Sequence, residues 1–220
     1  FRESAEHHGV QRIIYLGGLG EKNDRMSPHL RSRMEVGNIL SQGKVTVIRV
    51  RAAVIIGTGS ASYELIKSLT LNNRFIPFIP EFNSVCQPVA IRDVIKYLVG
   101  VMETPRLDTC VFQIGGKDVL TYEEMILSFA RIMNRRIRFI DVSWVPIPVD
   151  WMCRLYAYWL HCFISIPVNI TSLLLSSLKT NVVCADNEIS TILPFEPLDF
   201  VTAVKWAQEK EKRSMVFSHW

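Results

Sequence analysis

No CxxC pair and no Cys/His ligand spacing occurs among the five cysteines, Cys86, Cys110, Cys153, Cys162 and Cys184. That excludes a zinc ribbon or a paired redox motif, and no metal is expected. An odd number of widely spaced thiols, mostly inside apolar runs, fits the reduced, buried cysteines of an intracellular, cytoplasmic protein. Charge of one sign is nowhere concentrated. The formal net charge is +4, yet Lys and Arg are scattered, and in the tail Lys205, Lys210, Lys212 and Arg213 alternate with Glu209 and Glu211. The densest group, Arg131, Arg135, Arg136 and Arg138, reads as a solvated helix face. A nucleic-acid surface would need such residues on one face with aromatics between them, so no nucleic-acid partner is expected. Gly57-Thr58-Gly59 and Gly115-Gly116 follow apolar runs, but neither continues to a third glycine that opens a helix. A Gly-rich phosphate loop is therefore absent. No signal peptide or Arg-rich transit segment opens the chain, which starts at Phe1 inside a helical stretch closed by Gly9. The natural protein is expected to extend upstream. Asn169-Ile170-Thr171 matches a glycosylation sequon with no other sign of secretion and is taken as chance.

What is present is a globular chain. With 220 residues and 49% hydrophobic content, it has material for one good core or two small ones. Arg12 to Gly18 is a short apolar run bounded by turn residues, as in a strand buried on both faces of a parallel sheet. Ser27 caps a helix with Pro28 at its first position, and Leu30, Met34, Ile39 and Leu40 mark its packed side, with Gly43 closing it. Val45 to Gly57 is a second β-rich stretch. Strand, helix and strand in that order make a βαβ crossover. Helices are then predicted from Ser60 to Asn72, from Val94 to Met102 with Asp93 as cap, from Tyr122 to Met133 behind a Thr121/Glu124 capping box, and from Asp199 to Lys212. Phe75 to Pro80, Val85 to Ile91, Val111 to Gly116 and Ile137 to Val142 read as extended.

From Leu155 to Leu178 there is no Lys, Arg, Asp or Glu. That length raises a membrane span. His161, Pro167, Asn169 and several serines favour a hairpin of two core helices broken at Ser165-Ile166-Pro167. Peripheral membrane contact through Trp151, Tyr156, Tyr158 and Trp159 is the alternative.

Five segments in order carry a resemblance: Ile13-Ile14-Tyr15-Leu16-Gly17-Gly18, the helix with Glu35, Arg51-Ala52-Ala53-Val54-Ile55-Ile56-Gly57, Val89-Ala90-Ile91-Arg92-Asp93-Val94 and Phe112-Gln113-Ile114-Gly115-Gly116. Together they resemble the later half of an extended or atypical short-chain dehydrogenase/reductase, and are similar to its NmrA-like and complex I accessory-subunit-like members. The resemblance implies an α/β fold: the C-terminal part of a doubly wound Rossmann-type parallel sheet with a smaller, mostly helical substrate domain. It divides the chain into a partial NAD(P)-binding domain at residues 1–59 and a mixed substrate-side part at 60–220, with strands returning to the sheet. It implies NAD or NADP as cofactor and a small-molecule substrate or none.

The family's active site is a Tyr and a Lys four residues apart on the helix after the fifth strand. Here those positions fall on His29 and Arg33. Four residues apart on a helix still means one face. The chemistry differs. A phenol titrating at about 10 is replaced by an imidazole at about 6.5. The Arg33 charge disfavours the imidazolium and leaves His29 a poor general acid at neutral pH. Arg33 keeps the capacity to hydrogen-bond a ribose or phosphate. Position adds further candidates: Gly17 and Gly18 end a parallel strand at the carboxyl edge where such sheets bind ligands, and Ser60, Tyr63 and Gln87 are candidates for the substrate side. The resemblance places Arg51, Ala52 and Ala53 in the segment that runs past the nicotinamide, where Arg51 meets a phosphate or else pairs with a surface carboxylate. The expectation is a cofactor-contacting protein with weak or lost oxidoreductase activity. An active NAD(P)-dependent oxidoreductase or epimerase-like enzyme and a membrane-associated assembly or regulatory protein are the alternatives. Without a phosphate loop, this chain alone is expected to bind dinucleotide poorly.

Overall fold

The computed structural model describes residues 1–20, 28–141 and 180–213, together with Trp151, Tyr158 and Leu178; of Pro28 and His29 it describes the backbone only. The Ser27 cap, the hairpin between residues 155 and 178, and Cys153 and Cys162 lie outside the described residues. The described cysteines, Cys86, Cys110 and Cys184, are unpaired. Trp151 and Tyr158 are exposed. Among the described residues no helix is long and apolar enough to cross a membrane.

A short helix α1 (Arg2–His7) leads through Gly9, at φ +64°, into strand β1 (Arg12–Gly18). Helix α2 (Pro28–Leu40) crosses over to β2 (Thr46–Ala52), which pairs with β1 in parallel. Strand β7 (Cys110–Ile114) joins the other side of β2, also in parallel, so the principal sheet has the order β1-β2-β7. The βαβ unit and the return of the Phe112-Gln113-Ile114 strand follow the sequence reading.

The two faces of this sheet differ in chemistry. Ile48, Val50, Ala52, Phe112 and Ile114 pack with Val94, Tyr97 and Val101 of helix α4 (Ile91–Glu103) in one apolar core. Arg12 ties that helix down: its guanidinium donates to the carbonyls of Val101 (2.8 Å) and Thr104 (2.8 Å), which have no partner within the helix. On the other face, below α2, Ile13, Val45 and Val47 pack with Ala5 and Leu40 in a smaller apolar cluster, and Tyr15 and Arg49 lie under Gly37. Most of β1 is only half-buried, unlike the fully buried strand that the sequence suggested. Ile13 is its one buried apolar side chain, because β1 stands at the sheet edge with a single neighbour among the described residues.

A second core lies around helices α3 (Ala61–Asn72), α5 (Tyr122–Ile132) and α7 (Phe200–Lys212), with Tyr63, Leu69, Ile76, Phe82, Met125 and Phe129 at its centre. Short strands frame it: β3 (Ile55–Ile56) with β6 (Val89–Ala90), β4 (Phe75–Phe78) with β9 (Arg138–Asp141), and β5 (Val85–Cys86) with β8 (Leu120–Thr121). Helix α6 (Ile189–Ile192) packs under β7.

Three boundaries differ from the sequence reading. The run from Val45 to Gly57 is two strands in two sheets, because the chain bends at Ala53-Val54 and Val54 gives its carbonyl to Val89 (2.9 Å). Val85 to Ile91 is likewise broken at Gln87-Pro88, where proline has no N–H for a ladder. Helix α4 starts at Ile91 behind Ala90, so Asp93 sits in the first turn rather than at the cap. Its side chain has another partner, described below.

Candidate functional site

In an open parallel sheet, the carboxyl ends of the strands are where backbone and helix termini face solvent together. Here that edge is formed by Gly17-Gly18 of β1, Arg51-Ala52 of β2 and the start of α2. The register sets Gly17 opposite Arg51 and Gly18 opposite Ala52, and the Leu19 N–H extends the pairing to the Ala52 carbonyl (2.7 Å).

Glycine at 18 is required by close approach. A Cβ there would lie 2.7 Å from Leu30 Cδ2 and 3.8 Å from Arg33 Cδ. The first turns of α2 thus rest directly on the end of β1, and position 33 stands over the edge. Two features that the sequence reading missed set this height. Gly37 is buried and leaves room for Tyr15 and Arg49, whose atoms a Cβ would meet at 3.4 and 3.0 Å. The Tyr15 hydroxyl then donates to the Arg33 carbonyl at 2.9 Å, fixing α2 against β1. A glycine in mid-helix, costing about 1 kcal/mol of helix propensity, is the signal that marks this close crossing.

Arg33 is exposed on α2, and the helix backbone places position 29 one turn before it. The His29 side chain lies outside the described residues. Arg51 is half-buried and turns back over β1: Nε donates to the Gly18 carbonyl (3.3 Å) and Nη2 to the Gly20 carbonyl. Burial first, and the neighbouring Arg49 charge second, lower its pKa from the ordinary guanidinium value. Arg49 donates to Asn38 Oδ1 at 2.7 Å, while its buried Nε has no hydrogen-bond partner. Ala52 is buried towards the α4 core, and Ala53 packs against the second core. The edge is cationic and small-residue lined.

The other named residues are engaged elsewhere. Ser60 caps α3: its hydroxyl accepts from the Tyr63 N–H (3.2 Å) and donates to the Ile55 carbonyl (3.0 Å). Tyr63 is buried in the second core, edge-on to Phe129, with its hydroxyl 3.5 Å from Glu211 Oε2. Burial first, then the Glu211 and Glu64 charges, raises its pKa. Gln87 joins two distant segments, donating to the Gly116 carbonyl (2.8 Å) and accepting from the Cys184 N–H (3.1 Å). Asp93 is fully buried, accepts from the Leu198 N–H (2.7 Å) and receives Lys96 Nζ at 3.1 Å. The edge therefore brings together Gly17, Gly18, Arg33, Arg51 and Ala52. Ser60, Tyr63 and Gln87 do not join it by any hydrogen bond described here.

No protein-family model matches the sequence, and no curated protein matches it. Solved structures do match the fold. A nucleoside-diphosphate-sugar epimerase from Staphylococcus aureus shares 12% identity at a TM-score of 0.69, covering 93% of this chain and 68% of its own. An NADPH-dependent quinone oxidoreductase from Escherichia coli shares 11% at 0.72, covering 93% and 70%. A triphenylmethane reductase from Citrobacter sp. shares 12% at 0.69, covering 94% and 68%. At such identity the likeness is one of architecture. The chain has the Rossmann-type α/β fold of NAD(P)-binding epimerases and reductases.

Proposed function

We propose that this chain is a nicotinamide-dinucleotide-contacting protein of the atypical short-chain dehydrogenase/reductase kind, with oxidoreductase activity weak or lost. The observation that supports it is the first turns of α2 resting on Gly18, with Arg33 over the sheet edge and position 29 one turn away. At those two positions stand His and Arg instead of Tyr and Lys. The quinone oxidoreductase of the same fold is known bound to NADPH and a UDP-glucuronic acid 4-epimerase bound to NAD, which supports a nicotinamide cofactor as the class of ligand.

The residues present fit one end of such a ligand. Arg33, exposed and planar, suits a ribose hydroxyl or a phosphate oxygen. Arg51 does not offer its whole fork, since Nε and Nη2 already donate to the Gly18 and Gly20 carbonyls. The sequence holds no Gly-rich loop to cradle a pyrophosphate. The chain by itself therefore engages the nicotinamide–ribose end and holds the rest weakly. With histidine at position 29, one turn before Arg33, the site lacks the phenol that serves the resembled family as its acid and base.

The test is NADPH added to the chain. Titration calorimetry should register no micromolar binding, and saturation-transfer NMR should show contact at the nicotinamide–ribose protons that Arg33→Ala abolishes. Micromolar affinity would contradict the missing-loop argument. Transfer that is absent, or unaffected by Arg33→Ala, would remove the site.

A further inference from the structure

Five arginines that the sheet edge does not use converge elsewhere, where the second core reaches the surface. Helix α3 ends at Asn72, and the Asn73 amide turns back to donate to the carbonyls of Leu69 (3.1 Å) and Ser68 (3.5 Å). Arg74 then precedes β4. Helix α5 ends at Ile132, and Asn134, at φ +51°, reverses the chain so that the Arg135 N–H returns to the Ala130 carbonyl (2.9 Å). Arg138 opens β9 and donates its N–H to the Arg74 carbonyl (3.0 Å). Two helix C-termini and the starts of two parallel strands thus meet at one place. Only Arg131 lies on a helix, so the group is not the solvated helix face that the sequence suggested.

Two adjoining cavities of about 410 and 420 Å³ share Arg74, Arg135 and Arg136, and Arg131 and Arg138 line the first. No Asp or Glu lines either one. The ion pairs among the described residues involve Arg2, Lys67, Lys96 and Lys117, and none of these five. Each helix C-terminus carries roughly half a negative charge, so about one cation would balance both. Five guanidinium groups leave a surplus of positive charge between concave walls, which raises the local concentration of anions. Guanidinium forks match phosphate oxygens in pairs, and the cavity volumes lie within the range of small-ligand sites. Half-exposed Phe75 and the neighbouring Ile137 give the site an apolar wall.

We propose that this arginine-lined pair of cavities binds a phosphate group, carried either by a small soluble phosphate compound or by an anionic lipid headgroup. This site is independent of the sheet edge proposed above, and neither proposal requires the other.

The probes are inorganic pyrophosphate, followed by titration calorimetry at low salt, and vesicles of phosphatidylcholine with phosphatidylglycerol against phosphatidylcholine alone, followed by flotation. Binding of either probe should weaken by at least about tenfold in the Arg135→Gln, Arg136→Gln double variant and fade with added salt. Arg131→Gln with Arg138→Gln should act in the same direction, and Arg92→Gln, whose guanidinium stacks on Trp206 away from the cavities, should bind as the wild type does. Circular dichroism confirms that each variant is folded. Pyrophosphate binding without flotation identifies a soluble phosphate as the ligand, whereas flotation on the anionic vesicles that pyrophosphate reverses identifies the lipid. Failure of both probes to bind, or equal binding by both double variants and the wild type, would overturn the proposal.

Discussion

The carboxyl edge of β1 and β2 and the seam between Pro88 and Gly116 use similar residues to opposite ends. Both pair glycines with polar side chains, and both lie next to a strand end. At the edge, the atom nearest to the missing Cβ of Gly18 is the tip of a leucine side chain, and Arg33 is exposed. At the seam, a Cβ on Gly116 would lie 2.0 Å from the Pro88 carbonyl oxygen, and Gln87 uses both ends of its amide on backbone groups. Asp93 and Asp118 complete the seam by accepting from the Leu198 and Phe200 N–H groups at 2.7 and 2.8 Å. A polar side chain whose hydrogen bonds run to backbone groups of distant segments holds the fold together.

The contrast is broken or sharpened by substitution. Gly116→Ala forces two backbone segments apart and should cost about 3 kcal/mol, read as a lower urea midpoint, with destabilisation below about 1 kcal/mol counting against the seam. High pH should also weaken the seam. Burial first, then the Asp186 charge, pushes the Cys184 thiol up to about 11. Burial, against a hydrogen bond from Tyr122, pushes Cys86 up to about 12. Burial and then the Asp93 charge push the Tyr97 phenol up to about 12. Each folded-state pKa exceeds its unfolded value, so the native state holds these protons more tightly. The associated stability is complete below the ordinary thiol value of 9.0 and is lost as pH rises towards 11 to 12. Urea midpoints should be level between neutrality and mildly alkaline pH and fall beyond, less steeply in Cys184→Ser; a midpoint unchanged to the top of that range would contradict the assignment. The smallest effect belongs to Gly18→Ala. The atom that a Cβ would meet is the far end of the flexible Leu30 side chain rather than backbone, so the cost should be about 1 kcal/mol by the same measurement, with contact at the nicotinamide–ribose protons reduced. A loss as large as that of Gly116→Ala would place both sites in one structural class.

Local signals in the sequence were legible where the interaction is local. Thr121 and Glu124 form the capping box that their spacing announces, and Asp199 caps α7 through the Thr202 N–H. Ser60 opens α3, and its hydroxyl is used in doing so, accepting from the Tyr63 N–H and donating to the Ile55 carbonyl. The candidate edge was legible as Gly17-Gly18 and a helix with two polar residues one turn apart. Gly37 and Tyr15 were not, because their roles depend on the distance between α2 and the sheet.

The sequence by itself determined the parallel βαβ order, the Thr121/Glu124 capping box and the absence of a phosphate loop. These follow from periodicity, turn chemistry and capping within a few residues. Only the tertiary structure decided that Gln87 and Asp93 bind backbone, that β1 has one neighbouring strand among the described residues, and that five arginines line two adjoining cavities. The Asp93 partner, Leu198, is 105 residues away, and Gln87 meets Cys184 across 97. No local pattern encodes such pairings. They arise when packing of the cores brings a backbone donor to a side-chain acceptor from a distant segment.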